Sequence, residues 1–223
     1  MSADIYIVDV CGTLVGEDTT LGLLHYHFAN ASTRKWRYCA LLALTHKRSP
    51  IRLCFAALEK LTRRHWLKHA AVLLLTGERV ALLDASASQY AQHLLAQRRL
   101  AVVSALLEGV KAPQLLLASA SLQPIVAALA NALGCAYVAS ELASQAGVLT
   151  GRFATDLTAQ KPQALMAKYP HHLQNRRLCV ISDNLSDRAL LNMATQRVVV
   201  LTDEKQRRRW AGLNATYLLA KKS

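Results

Sequence analysis

Asp9 ends a short apolar run, Ile5-Tyr6-Ile7-Val8, and is followed by Val10-Cys11-Gly12-Thr13. Ser119 follows a second such run, in "LLLASAS". A third run, "LCVIS", leads to Ser182 and Asp183, with Asp187 four positions further on. Between the second and third runs, "TAQKP" puts Lys161 at the head of a helix-like segment. Acids, a hydroxyl and one lysine at these positions suit phosphoryl transfer with a divalent cation. Carboxylates hold a hard metal through oxygen. A hydroxyl and an ammonium meet phosphate oxygens, where developing negative charge needs fixed partners.

These side chains are far apart in sequence, so a framework must gather them. Four apolar runs read as strands: Ile5–Val8, Gln114–Ala118, Leu178–Ile181 and Val198–Leu201. Each is bounded by polar or turn residues and is too short for a helix. Helical patterns lie between them: "SLQPIVAALANALG" with Gly134 as a C-cap, "KPQALMAKY", and "SDRALLNMA". Alternation of this kind predicts an α/β fold, a three-layer Rossmann-like core around a mostly parallel sheet. In such sheets ligands bind beyond the carboxyl ends of the strands, where Asp9, Ser119 and Asp183 fall.

Residues 16–110 interrupt the rhythm with helical spacing, sustained in "LLDASASQYAQHLLAQRRLAVVSALLEGV", and with no convincing strand. Ser49-Pro50 reads as a turn between two helices. The expected division is a core domain of residues 1–15 and 111–223 with an inserted helical cap of residues 16–110. Ser119 and Ser121 could also cap the helix that follows them, Ser121 more plainly.

Four segments in order resemble the motifs of the haloacid dehalogenase-like superfamily, in its phosphoserine-phosphatase-like branch with a helical C1 cap after the first strand. They are "DVCGTL" at 9–14, "LLLASAS" at 115–121, Lys161, and "ISDNLSD" at 181–187. The stretch "LGCAYVASELASQAGVLTGRF" at 133–153 is similar to that branch's segment between the second and third motifs. The resemblance covers nearly the whole chain. It implies that Asp9 is a nucleophile forming an aspartyl-phosphate. It implies Mg2+ held by Asp9, the backbone carbonyl of Cys11 and Asp183, with Asp187 supporting the metal waters or Lys161. Ser119 and Lys161 would bind phosphoryl oxygens, helped by backbone amides around Gly12 and Ala120, with Thr13 in support.

Cys11 departs from the resemblance, which implies a second Asp there, acting as general acid and then base. A thiol is mostly protonated at neutral pH and is a weak donor. Three readings stay open for Cys11: a weak acid, an inert residue in an enzyme whose proton comes from substrate, water or cap, or the mark of a chain that binds phosphate without turnover. The protein is accordingly read as a Mg2+-dependent phosphohydrolase of a small or lipid-linked anionic phosphomonoester. A phosphotransferase using the same aspartyl-phosphate, or a degenerate phosphate- or partner-binding protein, are the rivals.

The composition limits the rest. A chain of 223 residues, 52% hydrophobic, can bury a substantial core. Net charge is +13, and residues 26–80 hold eleven Lys/Arg against Glu59 and Glu78. Such charge favours an anionic partner, with peripheral contact to an anionic membrane left open and nucleic acid not favoured. "RKWRY" and "RRHWLKH" mix cations with Trp36, Tyr38 and Trp66, whose rings are expected to pack inward. His65 and His69 have zinc-like spacing but no third ligand. The five cysteines contain no CxxC pair, which argues against a disulfide framework, and Cys39, Cys54, Cys135 and Cys179 are expected as buried thiols. Apolar stretches meet charges before reaching the length of a membrane span. With no signal-like start, the cytoplasm is expected, with the inner membrane face as a peripheral site.

Overall fold

Successive residues of each central strand face opposite layers. In β1 (Ile5–Val8) Tyr6 and Val8 join one core while Ile5 and Ile7 join another. Cys179 and Ile181 alternate in the same way with Leu178 and Val180 in β5 (Leu178–Ser182). This period of two, with both faces apolar, requires helices on both sides of the sheet. The computed structural model describes residues 3–30, 35–62 and 65–220, so Arg34, Arg63 and Arg64 of the basic segment fall outside it.

The other strands are β2 (Leu115–Leu122), β3 (Ala136–Gln145), β4 (Val148–Thr155), β6 (Gln196–Leu201) and β7 (Thr216–Leu219). The sheet order is β4-β3-β2-β1-β5-β6-β7, parallel except for the β3–β4 hairpin. The chain winds outward from β1 through β2 to β4, then returns to the other side of β1 to make β5. Strand order therefore reverses between β1 and β5, and a crevice at such a reversal is where ligands bind.

The helices are α1 (Thr19–Asn30), α2 (Lys35–Thr45), α3 (Pro50–Thr62), α4 (Trp66–Leu73), α5 (Val80–Gln97), α6 (Ala101–Leu106), α7 (Gln123–Leu133), α8 (Lys161–Lys168), α9 (Pro170–Leu173) and α10 (Arg188–Asn192). Leu83 and Leu94 of α5 and Ile125, Val126 and Leu129 of α7 fill one layer. Leu165, Leu173, Leu190, Leu191 and Trp210 fill the other. Gly134 ends α7 in the left-handed region at φ 65°, the C-cap its position predicts. Pro50 opens α3, so Ser49-Pro50 is the turn between α2 and α3.

The periodic stretch 82–110 is helical as its spacing predicts, divided between α5 and α6. The break at Arg98–Leu100 pairs with the segment after β1, through Gly16 N–H to Arg98 O and Leu100 N–H to Leu14 O. Several expectations need correction. Segment 133–153 contributes a hairpin whose turn, Ala146-Gly147, has both φ positive, at 50° and 76°. Neither that hairpin nor β7 was foreseen as strand.

Trp36 points outward, 63% exposed, because its neighbour Arg37 takes the inward place. Arg37 reaches Glu78 at 2.5 Å and the Thr76 carbonyl at 2.6 Å. Cys39 and Cys54 are exposed rather than buried, and only Cys179 is fully buried among the four thiols expected there.

Candidate active site

β1 delivers Asp9 and β5 delivers Asp183 to the crevice between them. The Asp9 backbone N–H donates to Ile181 O at 2.9 Å, which continues the β1–β5 ladder one residue past the strand. Asp9 is almost wholly buried. Its Oδ1 accepts from Val10 N–H at 2.7 Å and lies 2.9 Å from Lys161 Nζ. Burial pushes the Asp9 carboxyl up to about 7, against the opposing pull of the Lys161 ammonium.

Lys161, on the first turn of α8, is equally buried and donates to Asp187 Oδ2 at 2.6 Å. Burial alone would lower its pKa, but Asp9 and Asp187 together raise it, so the ammonium stays charged. Asp187 Oδ2 also accepts from Ser182 Oγ at 2.7 Å. One lysine thus bridges the acid after β1 and the second acid of "ISDNLSD".

Asp183 is held by a reciprocal pair with Thr13. Thr13 Oγ1 donates to Asp183 Oδ1, and Asp183 N–H donates back to Thr13 Oγ1, both at 3.0 Å. Burial raises the Asp183 pKa as well. Gly12, at φ 69°, passes so close that a Cβ there would overlap Asp183 Oδ2. Glycine is needed at this position for both conformation and space.

Asp9 Oδ2 and Asp183 Oδ2 accept no hydrogen bond among the described residues. Two carboxylate oxygens without donors, both pushed toward protonation by burial, suit a hard cation. No group of three or more His, Cys, Asp or Glu forms a metal cluster among the described residues. A cation here would draw on two carboxylates and the main-chain oxygen of Cys11, an all-oxygen set that fits Mg2+.

Cys11 sits at the head of α1. Its Sγ accepts from Thr19 N–H at 3.2 Å and lies 3.0 Å from both Thr19 Oγ1 and Ser121 Oγ. Thr19 Oγ1 donates to Ser121 Oγ at 2.8 Å, and Ser119 Oγ to Ser121 Oγ at 3.1 Å. Burial, with Asp18 and Asp9 adding to it, pushes the Cys11 thiol up to about 11. A helix N-terminus favours a thiolate, but here burial outweighs it.

Asp9, Cys11, Ser119, Ala120 and Lys161 line one cavity of about 300 Å3, flanked on another side by Glu59, His65 and Lys68. A larger cavity of about 470 Å3, between the start of α5 and the β3–β4 hairpin, contains none of the strand-end acids, so volume does not mark the site. Asp183 opens onto an adjoining recess of about 200 Å3 beside Arg209.

A model of the haloacid dehalogenase-like hydrolase family matches residues 7–192, from within β1 to the end of α10. The chain belongs to this family. No curated protein matches it. A protein of unknown function from Bordetella pertussis Tohama I has a similar structure, with TM-score 0.69 at 14% identity over 98% of this chain and 99% of that one. Cytosolic 5'-nucleotidase IIIB bound to cytidine gives TM-score 0.65 at 18% identity, over 96% and 79%. A phospho-aspartyl intermediate analogue of phosphoserine phosphatase gives 0.55 at 13%, over 100% and 96%. The haloacid dehalogenase-like fold is thus shared with phosphoserine phosphatases along the full length of the chain.

Within this haloacid dehalogenase-like site, the structure brings Asp9, Cys11, Ser119, Ala120 and Lys161 to the cavity wall and sets Gly12 and Thr13 behind it, on Asp183. Ser121 is no helix cap: α7 starts without a side-chain cap, and Ser121 Oγ is turned to Cys11. Sequence reasoning missed Thr19, although "EDTT" before a helical run marks a helix start whose side chains can turn inward. It also missed Lys68 of α4, which pairs with Asp156 Oδ1 at 2.8 Å and Thr158 Oγ1 at 3.3 Å, in the segment after β4. His69 faces Asp156 and the Phe153 ring.

Proposed function

We propose that the chain is a Mg2+-dependent phosphohydrolase working through an aspartyl-phosphate at Asp9. One observation supports this most directly: Asp9 lies on the wall of an open cavity with Lys161 on one of its oxygens and no donor on the other. Mg2+ held by Asp9, Asp183 and the Cys11 carbonyl would supply charge neutralisation for the incoming phosphate.

The Asp9 oxygen attacks phosphorus, an O–P bond forms, and the bond from phosphorus to the leaving oxygen breaks. Ser119 and the Ala120 and Gly12 amides meet the phosphoryl oxygens. Lys161 offsets the charge that accumulates there. The leaving oxygen takes its proton from solvent water; a water then attacks phosphorus, gives its proton to solvent, breaks the Asp9–phosphorus bond and releases phosphate. Asp187 is assigned to Lys161, which occupies its Oδ2. Inorganic phosphate release from a phosphomonoester panel with Mg2+, abolished by Asp9→Asn, is the expected result. No release and no trapped phospho-Asp9 would refute the proposal.

The cavity favours a small or headgroup-sized anionic phosphomonoester. Of the cap's charges, Lys68 and His65 face it together with Glu59 and Asp18. Five unpaired thiols and no CxxC pair support a reducing compartment such as the cytoplasm. The Cys11 thiol also supports a second reading, phosphotransfer. A thiol that remains protonated near neutral pH gives the attacking water no general base, so the aspartyl-phosphate would persist long enough for another nucleophile to take the phosphoryl group. Stable phospho-Asp9 with slow release would favour transfer.

A further inference from the structure

The helix α3 is inside out. Its thirteen residues include none that is buried, in a chain otherwise rich in buried aliphatics. The residues it turns toward the protein are Arg52, Phe55 and Glu59, at helical spacing. Arg52 Nη1 donates to the Thr45 carbonyl at 2.8 Å, and Glu59 Oε1 accepts from Leu67 N–H at 2.9 Å. The opposite face carries Leu53, Cys54, Ala57 and Leu61, all exposed, with Leu53 at 61% and Leu61 at 83%. On the neighbouring α2, Trp36, Cys39 and Leu42 make a second exposed stripe at a spacing of three. An apolar surface of this extent on two adjoining helices marks an interaction site.

We propose that this face of α2 and α3 docks on the surface of an anionic lipid bilayer. Charge selects this occupant. Lys35, Lys47, Arg48 and Lys60 are exposed around the apolar stripes, and Glu59, the one acid of residues 35–62, points inward. A second copy of the chain would bring these cations against their own duplicates. Nucleic acid would satisfy the cations but leave the leucines in water. A bilayer with anionic headgroups takes both, with aliphatic and indole groups at the acyl boundary and ammonium and guanidinium groups among the headgroups. At 1.5 Å per residue α3 is roughly 20 Å long, so it lies in the interface rather than crossing it. No helix among the described residues is long and apolar enough to span a membrane. The docking face lies on the far side of α3 from Glu59, which lines the cavity, and so does not depend on the chemistry at Asp9.

Flotation of the full-length protein with vesicles tests this. Phosphatidylcholine vesicles containing phosphatidylglycerol should carry the protein, phosphatidylcholine alone should carry much less, and added salt should weaken the binding. Leu53→Asp with Leu61→Asp should reduce binding by roughly a hundredfold. Both side chains are exposed, so circular dichroism and Tm should match the wild type. Lys47→Glu with Arg48→Glu, outside the helices, gives an independent loss of binding. Indole fluorescence should shift to the blue on adding anionic vesicles, and Trp36→Phe should remove that shift. No binding to anionic vesicles, or equal binding by the Leu53/Leu61 variant, overturns the proposal. Self-association lost in that variant, without vesicle binding, overturns it in favour of a second copy.

Discussion

Cys11 Sγ lies 3.0 Å from Ser121 Oγ, across 110 positions of sequence. With Thr19 N–H donating to the same sulfur and Thr19 Oγ1 also 3.0 Å from it, the thiol occupies a polar nest. Sulfur is a weak acceptor and a carboxylate is a strong one, so this nest suits an acid better than the residue it holds. Cys11→Asp should therefore fold and should raise phosphate release by about 10²–10⁴-fold, the usual range of general acid–base assistance. Steady-state release with a poor leaving group is the measurement. An unchanged rate would place the proton source elsewhere.

Lys161 is the single cation between two buried acids. Lys161→Met should cost about 3–5 kcal/mol in stability, because it leaves Asp9 and Asp187 desolvated without a counter-ion. Lys161→Met with Asp187→Asn should recover part of that loss. Urea melts of the three proteins decide it, and a single variant as stable as wild type would show that the carboxyls neutralise themselves without cost.

The pair between Lys68 and Asp156 ties α4 to the end of the β3–β4 hairpin. Burial pushes Asp156 up, but Lys68 and Thr158 outweigh it and hold its pKa below the ordinary 3.8. A depressed carboxyl contributes stability above its unfolded pKa and loses it as pH falls through its folded one. Asp156→Asn should thus lower Tm at pH 7, and the difference from wild type should shrink once the pH drops below about 4. A difference that is constant with pH would assign the effect to hydrogen bonding alone.

At Gly12 a methyl group would overlap the Asp183 carboxylate and sit on backbone of positive φ. Gly12→Ala should cost about 1–3 kcal/mol and should abolish any rise in Tm on adding Mg2+. Thermal melts with and without Mg2+, against an EDTA control, read both effects. A retained Mg2+ shift would mean that Asp183 is not needed for the cation.

The acids were legible in the sequence because each follows a buried strand, and a strand of four or five apolar residues ends visibly. Ile5–Val8 is predicted and observed with the same limits. Lys161 was legible as a helix start beside Pro162. Ser121 was not, because a hydroxyl before a helix has the same signature whether it caps the helix or turns to a thiol 110 positions away. The orientation of α2 and α3 was not legible either. Periodicity says which residues share a face but not which face packs, and Arg37 took the inward place through Glu78, a partner 41 positions away. The hairpin β3–β4 was hidden by its alanines, serines and glycines, which carry little β signal.

The sheet order has a consequence for synthesis. β1 leaves the ribosome before the other strands of the sheet, yet it occupies the middle of the finished sheet, between β2 and β5. Chains emerge N-terminus first, at a rate slow compared with local folding. Asp9 is therefore made long before Lys161, Asp183 and Asp187, and its carboxyl lacks its Lys161 partner until more than two thirds of the chain has been made. A nascent chain that stops short of β5 exposes one whole edge of β1. Completion of the active centre thus waits for β5 to cover that edge of β1, and a product truncated before it is left with an open strand rather than as a phosphatase of lower activity.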